Sequence, residues 1–352
     1  MTDADLVALS LLPPRMWRDA ADALRRGDSP SSTLTRLAAV RWPNDAARLA
    51  TLRADAAAAL SRALTHGIVC LAWGAPAYPA ALTTIIDPPA VIWTRGCVEA
   101  LDAIAVAIVG SRAASPYALS VATQLAGDLA VRGVVIASGL ARGVDSAAHR
   151  GALAAGGITV AVLGSGVDVI YPREHAALAA QIDERGAVIS ELVPGTPPNP
   201  FFFPLRNRII SGLSRAIVVV EASEKSGSLI TARCALEQGR DVLAVPGNVL
   251  TGRNRGAHAL LRDGAKIVES ADDILEELGL CEQRAAGMRT CGAPADPVLA
   301  CLIPGEPCDL DAIAERSGLG TTALLPRLFE LELQGTVARV GGGRFVRVDK
   351  PC

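Results

Sequence analysis

The chain has 352 residues, half of them hydrophobic, so it can hold more than one domain and is too apolar to be disordered. A formal charge of -2 excludes a basic field over the whole surface, so any nucleic-acid site must be a local concentration of cations. No stretch of about twenty apolar residues lacks charge, the Met1–Asp5 start lacks a signal-peptide n-region, and the eight scattered Cys form no Cys-x-x-Cys pair; a cytoplasmic protein with free thiols, no membrane span, no zinc or other metal and no cofactor is expected.

Residues 1–65 read as a small helical domain of the SAM or helix-hairpin-helix kind. Met16–Leu24 has helical spacing, and Asp45–Leu64 is a long Ala-rich helix. His66–Gly96 carries two strands, Ile68–Ala72 and Ala90–Thr94, around a Pro-rich loop. From Ala103 the rhythm changes. Apolar runs at Ala103–Val109, Val134–Ala137, Thr159–Leu163, Ala187–Ile189, Ile217–Val220, Val242–Val245 and Lys266–Val268 are mostly separated by helix-length segments. Continuous apolar strands alternating with helices predict an α/β domain, a doubly wound, Rossmann-like, mostly parallel sheet over 66–280. A linker follows at 281–296. Residues 297–352 carry three helices (from Pro297, Asp309 and Thr321) and a hairpin around Gly341–Gly343, the layout of a winged helix.

Ligands of open α/β sheets lie beyond the carboxyl ends of the strands. Gly-rich polar residues gather at those ends: Gly110, Ser111 and Arg112; Gly139, Arg142, Gly143 and Asp145; Gly164–Asp168 with Tyr171–Pro172; Lys225, Ser226, Gly227 and Ser228; Pro246–Asn248. Gly admits close backbone approach, helix-entering loops offer free N–H groups, and Ser and Arg donate directly to phosphate. Five such loops on one edge predict an anion-binding rim. Gly-x-Gly-x-x-Gly and the Walker motif are missing after the first strand of this domain, which disfavours NAD and ATP and leaves a smaller nucleotide or a polynucleotide backbone.

Phe201–Phe203 holds three of the five Phe of the chain, with Arg206, Asn207 and Arg208 close behind. Flat rings beside guanidinium groups suit single-stranded nucleic acid; a core-packing Phe cluster with Arg at a helix start fits the same residues. Asp145 and His149 are either an acid/base pair or a network that fixes a helix start. Glu191 is either a general base or the partner of Arg206 or Arg208, and Glu221 reads the same way; Asp168 organises its loop. No Ser/His/Asp or Cys/His set is defensible. In the C-terminal unit the third helix sets Arg327 against Glu330 and Glu332, which a groove-reading helix would avoid. Arg339, Arg344 and Arg347 on the hairpin could touch a backbone, but a protein-interaction or regulatory role is the stronger reading.

The motifs Val106–Arg112, Ser138–Asp145 with Ala148–His149, Ala161–Gly166, Phe203–Ser214, Lys225–Ala232 and Ala244–Asn248 occur in the order found in the bacterial DNA-processing DprA (Smf) family, which the chain closely resembles from about 66 to 280. The two flanking units resemble that family's accessory domains more loosely. The resemblance implies a non-enzymatic recombination mediator that binds and shields incoming single-stranded DNA during natural transformation, loads RecA and forms a homodimer through the Rossmann-like domain. It implies phosphate contacts from Arg112 and Arg142, a shared pocket with Arg206, Asn207 and Arg208, backbone contacts from Lys225 and Ser226, and a stacking platform at Phe203. Ala118, His175 and the Ala257–His258 pair depart from the family pattern (Gly, Asn and Thr-Asn) and bear on loop geometry. Two rivals stand beside it. A nucleotide-hydrolysing enzyme of the phosphoribohydrolase kind would use Glu191 and Glu221, although its Pro-Gly-Gly-x-Gly-Thr-x-x-Glu loop is missing. A protein-interaction scaffold would keep a vestigial rim.

Overall fold

A computed structural model describes residues 4–43, 45–280, 296–303, 305–341 and 343–348. Four helices lead: α1 Ala4–Ser10, α2 Trp17–Arg25, α3 Pro30–Arg41 and α4 Ala46–Thr65. Side-chain caps set two of their starts: Ser29 accepts from Ser32 N–H ahead of Pro30, and Asp45 accepts from Arg48 N–H. Asp45 thus caps the long Ala-rich helix from outside its first turn.

The sheet region then runs β1 Val69–Ala72, α5 Ala80–Thr83, β2 Val91–Gly96, β3 Ala105–Val109, α6 Pro116–Val131, β4 Val135–Ser138, α7 Val144–Ala154, β5 Thr159–Val162, α8 Ala176–Arg185, β6 Ala187–Ser190, α9 Phe202–Leu213, β7 Ala216–Val219, α10 Ser228–Glu237, β8 Asp241–Ala244, α11 Arg255–Arg262, β9 Lys266–Ile267 and α12 Ala271–Glu277. Every apolar run read from the sequence is a strand, shifted by no more than a residue or two at its ends. Nine strands form one sheet in the order β1-β2-β6-β5-β4-β3-β7-β8-β9. β2 lies antiparallel to β1 and β6, and the pairs from β6 to β9 are parallel. The interior strands are buried along their whole length, which is why they lack polar alternation. Leu125, Leu129, Ala148 and Ile274 cover one face, and Leu82, Ile209, Ile210 and Ala232 the other. Strand order reverses between β3 and β7, which makes that junction the switch point.

The leading helices share a hydrophobic cluster with the sheet region: Leu9, Leu34 and Leu52 pack with Trp93, Leu163 and Val188. Asp168 adds a polar tie. Its carboxylate accepts from the Arg62 guanidinium of α4 at 2.7 Å and from Gly195 N–H at 2.7 Å, so it does organise its loop, and it docks α4 as well.

The C-terminal unit is the predicted winged helix: α13 Pro297–Cys301, α14 Leu310–Ser317, α15 Thr321–Leu333 and the hairpin β10 Val337–Val340 with β11 Arg344–Arg347. Val298, Ile313, Leu324, Leu328 and Phe345 form its own core. Arg327 is bonded to Asp296 and Glu330, Arg339 lies over the Phe345 ring, and Arg347 donates to Leu299 O. Arg327, on α15, and Arg339 and Arg347, on the hairpin, are thus engaged inside the C-terminal region. Residues 281–295 of the predicted linker and Gly342 of the hairpin turn lie outside the described residues.

Candidate nucleic-acid interface

The β4–α7 connection builds the floor of the site. Asp145, buried at the start of α7, accepts from Gly139 N–H at 3.1 Å and from Ala141 N–H. Burial pushes its pKa up, while Arg206 and the two N–H bonds act the other way. Gly143 has φ +76°, and a Cβ there would come within 2.2 Å of Ser111 O, so only glycine allows this loop to lie against the β3 loop. His175, where the family pattern has Asn, holds Leu140 O at 2.9 Å through Nδ1. Leu140 is, among the described residues, the non-glycine residue with positive φ, at +57°.

His149 does not pair with Asp145. Its Nδ1 is 2.6 Å from Thr159 Oγ1, and burial, with help from His175 and Arg206, holds its pKa down at about 3. The helix-start reading is therefore the right one for Asp145, and His149 is a neutral buried residue. The folded pKa lies below the unfolded value near 6.5, so unfolding takes up a proton in acid. Stability is fully present above about pH 6.5 and falls as pH drops toward about 3, by up to about 1.4 kcal/mol per unit. Urea melts across roughly pH 6.5 to 5 should show a His149→Gln variant losing less stability than wild type over that interval; equal losses would remove His149 as the source.

The predicted rim falls into two groups. The first is a cleft of about 360 Å³ above β3, β4 and β5, lined by Arg112, Arg142, Tyr171, Phe203, Arg206 and the 139–141 loop. The second lies at the β3/β7 switch point, where Ser111, exposed Lys225, and Ser226–Ser228 at the start of α10 gather. Ser226 Oγ and Ser228 Oγ are 2.7 Å apart. Gly110 is tight structure between the groups, since a Cβ there would meet Val144 at 2.6 Å.

In the cleft, Arg112 is exposed, has no carboxylate partner among the described residues, and sits 5.3 Å from the Phe203 ring centroid. Tyr171 stacks on Phe203 with centroids 5.5 Å apart and planes 28° from parallel. Phe203 is half-buried and packs on Gly164, so it is the support beneath, and the exposed ring is Tyr171. The sequence reading set Tyr171–Pro172 on the rim, while the family resemblance placed the stacking platform at Phe203; Tyr171 was not given that role, although it is a rare aromatic in a Tyr-Pro step on the β5 exit loop. Arg142 is exposed and paired bidentately with Glu174, each holding the other in its charged form.

Three residues expected to meet the ligand are bonded within the fold. Arg206 is 7% exposed and donates to Gly139 O and Val162 O, clamping the ends of β4 and β5. Burial lowers its pKa to about 10, so it stays cationic at neutral pH and adds field to the cleft from below. Arg208 is buried among Asp87 at 2.9 Å, Glu191 at 2.7 Å and the Trp17 ring, with Nε and Nη2 bonded to the two carboxylates and Nη1 buried without a hydrogen-bond partner among the described residues. Burial opposes its charge, and the two carboxylates outweigh that and hold its pKa above the ordinary guanidinium value. Asn207 faces the α10 start, with Nδ2 3.4 Å from Gly227 O. Glu191 is therefore the partner of Arg208, as one sequence reading had it. Glu221 departs from that reading: it accepts from Ser115 Oγ at 2.6 Å and from Ser115 N–H, fixing the start of α6 instead of an Arg.

Fold and cleft together define a Rossmann-like protein with a cationic, aromatic cleft on its rim and an appended winged-helix unit. Residues 69–279 match the family model of DNA recombination-mediator protein A, and residues 282–343 match the DprA winged helix domain. The chain is 43% identical to protein Smf of Escherichia coli over 78% of its own length and 76% of that protein's, and 46% identical to DNA processing protein DprA of Streptococcus pneumoniae over 57% and 71%. The X-ray structure of the Streptococcus pneumoniae DprA superposes with a TM-score of 0.58 at 40% identity, covering 64% of this chain and 81% of that one. DNA processing protein A of Helicobacter pylori, described for its single-stranded DNA binding mode, superposes at 0.55 and 30% identity, covering 60% and 95%. The chain belongs to the DprA/Smf family of DNA-processing proteins.

Proposed function

We propose that the protein binds single-stranded DNA in the cleft of Arg112, Arg142, Tyr171 and Phe203, shields it during DNA uptake and loads RecA onto it, acting as a cytoplasmic homodimer without catalysing a reaction. The observation that carries this reading is the Arg112–Phe203–Tyr171 stack: a guanidinium with no carboxylate partner among the described residues and an exposed ring, held on one aromatic support. A cation for the phosphate beside a flat face for the base is the pairing a single strand requires and a duplex, with its bases stacked inside, does not. The single-stranded DNA binding described for the Helicobacter pylori relative supports the same reading. The two carboxylates an enzymatic reading needs, Glu191 and Glu221, are each spent on a structural partner.

Arg112, Arg142 and Lys225 are the exposed cations of the predicted rim. If each meets one phosphate, log K should fall with log salt at a slope of about -2. Anisotropy of a labelled oligo-dT across a salt series, with matched duplex as competitor, checks this. Salt-independent binding, or equal competition by duplex, overturns the reading; release of free base from nucleoside monophosphates would replace it with the enzymatic one.

A further inference from the structure

We propose that a DNA strand leaving the Arg112 cleft continues across the β3/β7 switch point and is held there by the loop after β8, with Arg253 and Arg255 on its backbone and Val249 and Leu250 against its bases. This rests on the reading of the cleft as a single-stranded DNA site. The loop is built onto that site. Arg253 donates to Ala113 O at 3.0 Å, the carbonyl next to Arg112, and remains exposed. Tyr117 Oη donates to Pro246 O at 3.0 Å, and Ala222 N–H donates to Asn254 Oδ1 at 3.0 Å, so the loop is tied to both the β3 and β7 connections. Arg255 is 67% exposed and reaches Glu224, itself 68% exposed, only at 4.0 Å, a pair too loose and wet to hold its charge.

At the tip, Val249 is 75% and Leu250 90% exposed. Isolated exposed aliphatics are ordinary. Two adjacent ones, followed in the chain by two exposed guanidinium groups and joined to an anion cleft, set apolar surface for bases beside fixed cations for phosphates. Exposed Lys225 lies between the two patches on the β7 connection. From β5 to β8 the sheet has four strand spacings, about 19 Å at roughly 4.8 Å each. Arg112, on β3, stands two of those spacings from β8, about 10 Å, so a strand held at Tyr171 and Arg112 meets the loop as it continues on the β8 side of Arg112.

Anisotropy with oligo-dT of about four, eight and twelve nucleotides tests this, within the usual range of single-strand site sizes. Arg255→Ala should bind the shortest oligonucleotide as wild type does, which reports that the cleft is intact, whereas Arg253→Ala/Arg255→Ala also removes the bond to Ala113 beside Arg112. The double variant should gain about tenfold less on lengthening, with a salt slope on the longest smaller by about 1.4. Arg255→Ala alone, which leaves the Ala113 bond in place, should lose roughly half of that slope change. The proposal is overturned if the double variant parallels wild type at every length, or if it changes only the oligomeric state by light scattering. A separate Arg112→Ala variant that still binds the shortest oligonucleotide normally would overturn the cleft itself, a different outcome.

Discussion

Arg208→Ala is expected to cost about 3–5 kcal/mol of stability, because it strands the buried Glu191 carboxylate and leaves Asp87 half-exposed without its partner. In thermal melts that corresponds to a fall in Tm on the order of 10 °C. The loss should be smaller in Arg208→Met/Glu191→Leu, which removes both members of the pair, since much of the cost of breaking a buried pair comes from the uncompensated charge left behind. Binding of single-stranded DNA, measured well below the melting range, should stay near the wild-type value. The reverse pattern, with a normal Tm and lost binding, would put Arg208 back at the ligand. The contrast matters because Arg206 and Arg208 look alike in sequence, two cations behind an aromatic run, and both are consumed by the fold.

Tyr171→Ala combined with Arg112→Ala should weaken oligo-dT binding by 100-fold or more, about 3 kcal/mol. The ring would contribute about 1–3 kcal/mol by stacking, and the guanidinium a phosphate contact that also lowers the salt slope by about 0.7. The two side chains share Phe203, so their effects should couple and fall short of simple addition or exceed it. A double-mutant cycle read by anisotropy at fixed salt gives that coupling. Phe203→Ala should resemble the double variant more than either single one, because it removes the support of both. Wild-type affinity in the Tyr171→Ala/Arg112→Ala protein would exclude this cleft as the binding site.

Much of the architecture was legible before any coordinates. Buried parallel strands must be apolar throughout, so β3 to β8 announced themselves as unbroken runs, and the winged unit showed its helices and hairpin by period. The Gly-rich polar rim was legible for the same reason: Gly, Ser and Arg concentrate where the strands end, because backbone has to approach backbone and N–H groups are left open there. The cleft residues Arg112 and Arg142 came from that edge. Less legible was which aromatic faces outward. Tyr171 and Phe203 lie on different connections, 32 residues apart in the chain, and only their stacking shows that the second supports the first.

The amino-acid sequence by itself determined the doubly wound sheet, its rim and the family, because these follow from local period, loop composition and the order of motifs. Which rim cations remain free was decided only by tertiary structure. A guanidinium carries the same charge wherever it stands, and its use depends on the oxygen atoms folded around it. Arg208 meets Asp87 across 121 residues, Arg206 meets Val162 across 44, and Arg142 meets Glu174 across 32. Pairings over such distances leave no periodic trace in the chain, so burial and ion pairing alone separate the arginines that hold the protein together from those left exposed on the rim.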